Sequence, residues 1–596
     1  MLKKDKSSLL ITAGAATLLI AGGVAAYFAI LLRTSSTDLP VGANVIPQDA
    51  MMAISLTTDA GQWDKLRQFG TPESKAAFDR LLGQLRDNFL TVNGYGYQQD
   101  IQPWVGKEVT IAFLPNQTLT PATPPSPNSP ASPPPQQSVI AVLPIANPLK
   151  AKEILGKPKP LNQGKMVERT YKGVQITETQ GVPNQNLSVA VLGTEYLIVT
   201  SNAKATDRAI DTYKGDAAIA KTPGYISALQ KIKSPAPFAQ IYANIPAAAA
   251  YASINSARPV PQENLDQLQH QGFATTVTVE PEGVGFKAIS WLKPNSQNRL
   301  AVENNAQKMV TLLPNPTLMM MSGGNFQRLW QDYVKGANSN PVAPINPQDV
   351  QAYIKSNTGM DWEKDFINWM GGEFSLSLIP AVTTTATTNN AQARFGAGFL
   401  VMVQASDRRA ADKSLKQLDD IMKTKQFRVE ETQANGQPVV KWSSRFGGLT
   451  VTRGWLNGNI AFLTLGAPIL ESFLPTPKSA LVANELFQRS VRSELKPNNG
   501  NFFIDVDNTF NPKNLSMPEL PANQKVWVDA IQSIGVTAAV INDRTTRYDA
   551  FVKLKTGLRS TPSPNPPAAS PKLPAGSPSP SPTSPSPSPT INNSPN

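Results

Sequence analysis

Asp505-Val506-Asp507-Asn508-Thr509 follows Asn501-Phe502-Phe503-Ile504 near the end of the folded sequence, in the pattern D-x-D-x-T. An Asp at a strand end can attack phosphorus while a divalent cation neutralises the developing charge. That chemistry also needs a Lys and further carboxylates from a long downstream stretch, and only residues 510–556 precede the tail. Carboxylates at i and i+2 of a strand share one face, so Asp505 and Asp507 stand as a weak candidate cation site. Ser493 and Lys496 match S-x-x-K, and Lys555-Thr556-Gly557 matches K-T-G, the signatures of serine acyl-transfer enzymes. The two lie 62 residues apart with no S-x-N between them, too close for the helical domain that chemistry requires. His270 is the sole histidine, so any Ser-His-Asp arrangement would have to run through it. Its place just before Gly272 and a strand reads as a helix end. Cysteine is absent, which removes disulfides, thiolate metal sites and Cys nucleophiles. G-x-S-x-G, Walker A and G-x-G-x-x-G motifs are absent too. No catalytic residue and no cofactor is expected.

The elements that would position such residues come in two matching sets. Residues 94–115 (GYGYQQDIQPWVGKEVTIAFLP) match residues 359–380 (GMDWEKDFINWMGGEFSLSLIP) at an offset of 265. Gly94, Asp100, Trp104, Gly106, Glu108 and Pro115 meet Gly359, Asp365, Trp369, Gly371, Glu373 and Pro380. The match continues outward. Residues 46–55 resemble 313–322, 193–201 pair with 458–466, 237–244 with 501–508, and 273–292 with 536–554. A polar insertion follows each matching Pro, rich in Pro and Ser at 116–137 and in Thr and Asn at 382–392. The expectation is two tandem copies of a unit of about 250 residues, at 42–296 and 309–556. Apolar and polar residues alternate over 273–280 and 283–290 across a short Pro281-Glu282-Gly283 turn, a pattern of antiparallel hairpins. Helical stretches fall at 72–90, 204–213 and 408–422, the first opened by Thr71-Pro72-Glu73. The fold class expected is α+β, with helices packed on antiparallel sheets. Trp104, Trp369, Glu108 and Glu373 recur in both sets and are read as scaffold. Met51, Met52, Met319, Met320 and Met321 are read as core strand.

Residues 8–32 carry no charge over 25 positions, and as a helix would reach roughly 37 Å, longer than the roughly 30 Å hydrocarbon core of a bilayer. Lys3, Lys4 and Lys6 precede the stretch and Arg33 follows it. More positive charge before the span predicts a transmembrane helix with residues 1–7 cytoplasmic and the bulk outside, in periplasm or thylakoid lumen. The stretch is too long for the apolar region of a cleaved signal peptide. The net charge is +12, of which the first 33 residues supply +3 and the segment after Thr556 supplies +2. The remaining excess is too diffuse for a nucleic-acid footprint, so no nucleic acid is expected as partner. Residues 150–172 hold seven Lys and Arg against Glu153 and Glu168, a solvated face or a contact for anionic lipid or an acidic polymer. The tail, 560–596, is about a third Pro and mostly Ser otherwise, and a segment of that composition stays extended and disordered.

An apolar N-terminal span, a P-x-x-A-M-hydrophobic start at 47–54, and D-I-x-P-W-x-G-x-E from Asp100 to Glu108 together resemble a large family of cyanobacterial envelope proteins. It is domain-of-unknown-function family number 3352. The resemblance covers nearly all of 40–556. In the second set Asn368 stands where Pro103 stands in the first. The resemblance implies membrane anchoring and architecture, and brings no activity or site residues. The functional expectation is a membrane-anchored extracytoplasmic module that binds or organises, with an envelope protein, lipid or polysaccharide as partner. The alternative is an extracytoplasmic hydrolase or transferase using carboxylates.

Overall fold

The computed structural model describes residues 39–556 except 90–94, 116–136, 158–164, 181–186, 255–260, 267, 338–344, 382–395, 445–449, 493 and 516–518. The expected transmembrane stretch, the tail, Ser493 and nearly all of both insertions lie outside the described residues. Among the described residues no helix is long and apolar enough to cross a membrane.

Among the described residues twenty strands form one antiparallel sheet. From the first edge the order is β4 (Lys165–Tyr171), β5 (Val174–Gln180), β6 (Ser188–Leu192), β7 (Tyr196–Thr200), β3 (Gln137–Pro144), β2 (Glu108–Pro115), β1 (Met52–Thr57), β8 (Ala239–Asn244), β9 (His270–Glu280) and β10 (Gly283–Leu292). It continues through β20 (Thr545–Leu554), β19 (Ile531–Asn542), β18 (Gly500–Asp505), β11 (Met319–Gly323), β12 (Phe374–Pro380), β13 (Ala397–Gln404), β17 (Ile460–Gly466), β16 (Thr450–Leu456), β15 (Gln437–Ser443) and β14 (Arg428–Ala434). The fold is α+β.

This corrects the expectation of two tandem units with sheets of their own. β10 and β20 pair from Gly283 opposite Lys553 to Trp291 opposite Thr545, so the hydrogen-bond ladder runs unbroken between the two matching regions. The described residues form one compact unit. The physical reason is edge pairing. A β10 ending in solvent would leave a row of unpaired N–H and C=O groups, and β20 takes them. The core agrees. One cluster joins Leu56, Trp63, Phe238 and Phe286 from before residue 300 to Ile534, Val536, Val552 and Leu554 from the end of the chain. Ion pairs cross the same seam: Arg489 and Lys553 meet Glu282, and Arg492 meets Glu280.

Helices flank the sheet. Pro72–Phe89 has Glu73 in its first turn, where a carboxylate favours the N–H end of the dipole. Arg408–Thr424 starts at Asp407, whose side chain accepts from Arg409 and Ala410 N–H, an N-cap. Asn202 caps Ala203–Tyr213 in the same way through Ala205 N–H.

Candidate functional site

The recurring D-x-x-x-W-x-G-x-E pattern builds one turn twice, next to the sheet. In the first, the Asp100 carboxylate accepts the Gly96 N–H at 2.7 Å and closes a π-helical turn, Tyr97–Ile101. The Trp104 indole N–H donates to the Asp100 carbonyl at 2.5 Å, and the Trp104 carbonyl accepts the Ala146 N–H at 2.9 Å. In the second, the Asp365 carboxylate accepts the Asp361 N–H at 2.7 Å, Trp369 donates to the Asp365 carbonyl at 2.9 Å, and the Ser406 N–H reaches the Trp369 carbonyl at 2.9 Å. Both indoles are buried, at 0% and 3% exposure. Close approach leaves little room at the glycine: a Cβ at Gly106 would meet Pro144 Cγ at 2.8 Å, and one at Gly371 would press on Ser406 Oγ at 3.0 Å.

The pattern ends on a buried glutamate. Glu108 opens β2 and accepts the Val41 N–H at 3.3 Å, while Thr110, two residues on, donates to the Val41 carbonyl and bonds Ser55. Glu373 accepts the Met309 N–H at 2.9 Å. Each carboxylate thus ties down the segment that leads into the sheet. Burial pushes both carboxyls above the ordinary range, against the lowering effect of these hydrogen bonds. Beside Val41, Ser55 and Thr110 is a cavity of about 10 Å³, also lined by Tyr225, Gln240 and Tyr242, room for about one water.

Asp505 ends β18, and its carboxylate caps the next turn through Asn508 N–H at 3.1 Å and the Asn508 amide at 2.7 Å. Asp507 lies in that helical turn, Val506–Thr509, and pairs with Lys555 at 2.5 Å. The strand ends before Asp507, so the shared strand face argued from i and i+2 spacing does not exist. Among the described residues no group of three or more His, Cys, Asp or Glu could hold a metal ion. Lys555 of the K-T-G match serves Asp507, and Glu494 inside the S-x-x-K match pairs with Lys287 and Arg547. His270 is exposed and opens β9 opposite Leu292.

Sequence reasoning missed a buried cluster. The Asp419 carboxylate on helix Arg408–Thr424 holds the Arg453 guanidinium from β16 and accepts the Trp442 indole N–H from β15 at 2.8 Å. Arg453 is 7% exposed and Asp419 8%. The only signal was a helical Asp followed, some twenty and thirty residues later, by polar or amphipathic residues in strand patterns, too common to read.

Three solved structures, crystal forms I, III and IV of TP0453, are weakly similar. Their identities are 10%, 11% and 12% and their TM-scores 0.24, 0.21 and 0.22, over 43–44% of this chain and 81–84% of theirs. At those scores they carry no argument about this fold. No curated protein matches the chain. The family described as "Protein of unknown function (DUF3352)" matches residues 11–554. With that match spanning nearly the whole folded sequence, the chain belongs to the DUF3352 family of proteins of unknown function.

Proposed function

We propose that the chain is a non-enzymatic binding or organising module of a cell envelope, held at a membrane by residues 8–32. The observation that carries this reading is that the carboxylates of the two recurring turns, of the D-x-D-x-T match and of the buried Asp419 cluster are held by groups of the fold itself. Asp100 and Asp365 close turns, Glu108 and Glu373 hold leading segments, Asp505 caps a helical turn, and Asp507 and Asp419 pair with Lys555 and Arg453. A carboxylate bound to its own backbone is poorly placed to act as a general acid or nucleophile, which must be within reach of a substrate.

The test is in-cell crosslinking of a chain tagged at both ends, with protease accessibility of the C-terminal tag before and after the outer layers are opened. The expected result is a tag cleaved only after opening and recovery of envelope material on the chain. A tag that stays protected, or a hydrolytic activity of the purified chain that Asp505→Asn abolishes, overturns the reading.

A further inference from the structure

An antiparallel sheet with one wet face shows apolar and polar residues in strict alternation. Several strands here are apolar on both faces. In β13, Leu400 and Met402 are buried in a core cluster on one side of the sheet, and Phe399 and Val401 point to the other, half-buried. The register extends this second face across four strands: Met319, Leu378, Phe399 and Leu465 stand opposite one another in β11, β12, β13 and β17, while Ile504, next in the row on β18, packs into the cluster at the seam. Residues directly opposite in an antiparallel ladder share a face, and four strands span roughly 14 Å at the usual spacing. All four are half-buried or exposed, Leu465 at 37%. A parallel row one step along the strands includes Met321, also 37% exposed. The expectation that Met319 to Met321 are all core therefore holds only for Met320, which is 0% exposed.

Helix Arg408–Thr424 borders this face. Leu415, Leu418 and Ile421 pack with Val401 and Leu376, and Arg409, Lys413 and Lys416 on the same helix are exposed. In the first half Phe113 and Val139 stand opposite one another, half-buried, while Met52, next in that row, packs into the cluster at the seam. The bordering helix there, Pro148–Leu155, exposes Lys150, Lys152 and, at 82%, Leu149.

We propose that this second face of the sheet takes anionic membrane lipid, with acyl chains lying across the strands and headgroups on the lysines of the bordering helices. Two features select this occupant. The face offers aliphatic, thioether and phenyl groups only, and the backbone beneath it is paired within the sheet. A saccharide or an extended peptide would bury hydroxyls or amides there with no partner, whereas hydrocarbon loses no hydrogen bond. The basic rim then complements an anionic headgroup. The proposal rests on the membrane-held reading above and names its partner.

The experiment uses the full chain in vesicles of phosphatidylcholine and phosphatidylglycerol, the latter carrying a photoactivatable group on its acyl chain. Labelled peptides are then mapped. Label on peptides holding Met319–Met321 and Phe399, reduced several-fold by Lys413→Glu with Lys416→Glu and by Phe399→Asp, is the expected result. The lysine changes lie on an exposed helix face and leave the fold intact by circular dichroism. Label confined to residues 8–32 overturns the proposal and leaves the membrane-held reading standing. Label on the strands without label on 8–32 keeps the lipid face and overturns the anchor. Protection of the strand peptides by a second copy of the chain, seen as a dimer in sedimentation with no lipid label, also overturns it.

Discussion

In the half of the sheet before residue 300, the helices that follow β1 bury Trp63, Leu66 and Phe78; in the other half, the helices that follow β11 fully bury only Pro347. The sequences are comparably apolar, so the difference lies in what stands opposite. Trp63 packs against Phe78 and Phe238, with ring centroids 6.2 and 5.6 Å away, inside the cluster that spans the β10–β20 seam. Trp527 and Val528 of helix Ala522–Val528, from the far end of the chain, close over it. Trp330 in helix Phe326–Ala337 meets Trp362 edge-on at 5.7 Å, Tyr333, and the Glu363 carboxylate, none more than 33 residues away. The charge pairs differ too, in the opposite sense. The second half buries Arg453 on Asp419, while the first holds Arg169 between Glu178 and Asp207 with its side chain 29% exposed. A shared seam, rather than local sequence, decides which helix becomes core.

The largest effect should come from breaking the buried pair. Asp419→Ala leaves the Arg453 charge without a partner in the core and should cost about 3–5 kcal/mol, read as a fall in the urea midpoint. Glu178→Gln, at the less buried counterpart where Arg169 keeps Asp207, should cost less, about 1–2 kcal/mol; equal losses would erase the contrast. Next, Trp63→Ala should cost about 3–4 kcal/mol and Trp330→Ala about 1–2 kcal/mol. A larger loss at Trp330 would show that the exposed helices are held by something beyond local contacts.

The buried glutamates sharpen the comparison through pH. The folded-state carboxyls of Glu108 and Glu373 sit above their unfolded value because of burial. Their contribution to stability is therefore complete below the unfolded carboxyl range, about pH 4.3, and is lost as pH rises through the raised folded value. Glu108→Gln keeps a neutral side chain at all pH, so its stability should fall less than wild type between pH 4 and 8 in denaturant titrations. An unchanged slope would mean that folding leaves the Glu108 carboxyl unshifted. The smallest effect belongs to the seam's exposed ion pairs: Arg489→Ala removes contacts with Glu282 and Glu485 and should cost less than about 1 kcal/mol, reduced further in high salt.

Local pattern determined a good deal by itself. Thr71-Pro72-Glu73 marks the start of the helix Pro72–Phe89, and period-two alternation marks β9 and β10, because caps and pleats depend on near neighbours. The recurrence of Trp104 and Glu108 as Trp369 and Glu373 at a fixed offset marks them as scaffold, since each turn is closed by its own near neighbours and one facing loop. The tertiary structure alone decided that β10 meets β20, that Asp419 meets Arg453, that Asp507 falls past its strand end, and that Met319 and Met321 face away from the core. These depend on pairings between residues 30 to 270 apart, where register and face are set by which strand lies alongside, and a one-residue shift sends every side chain to the other side.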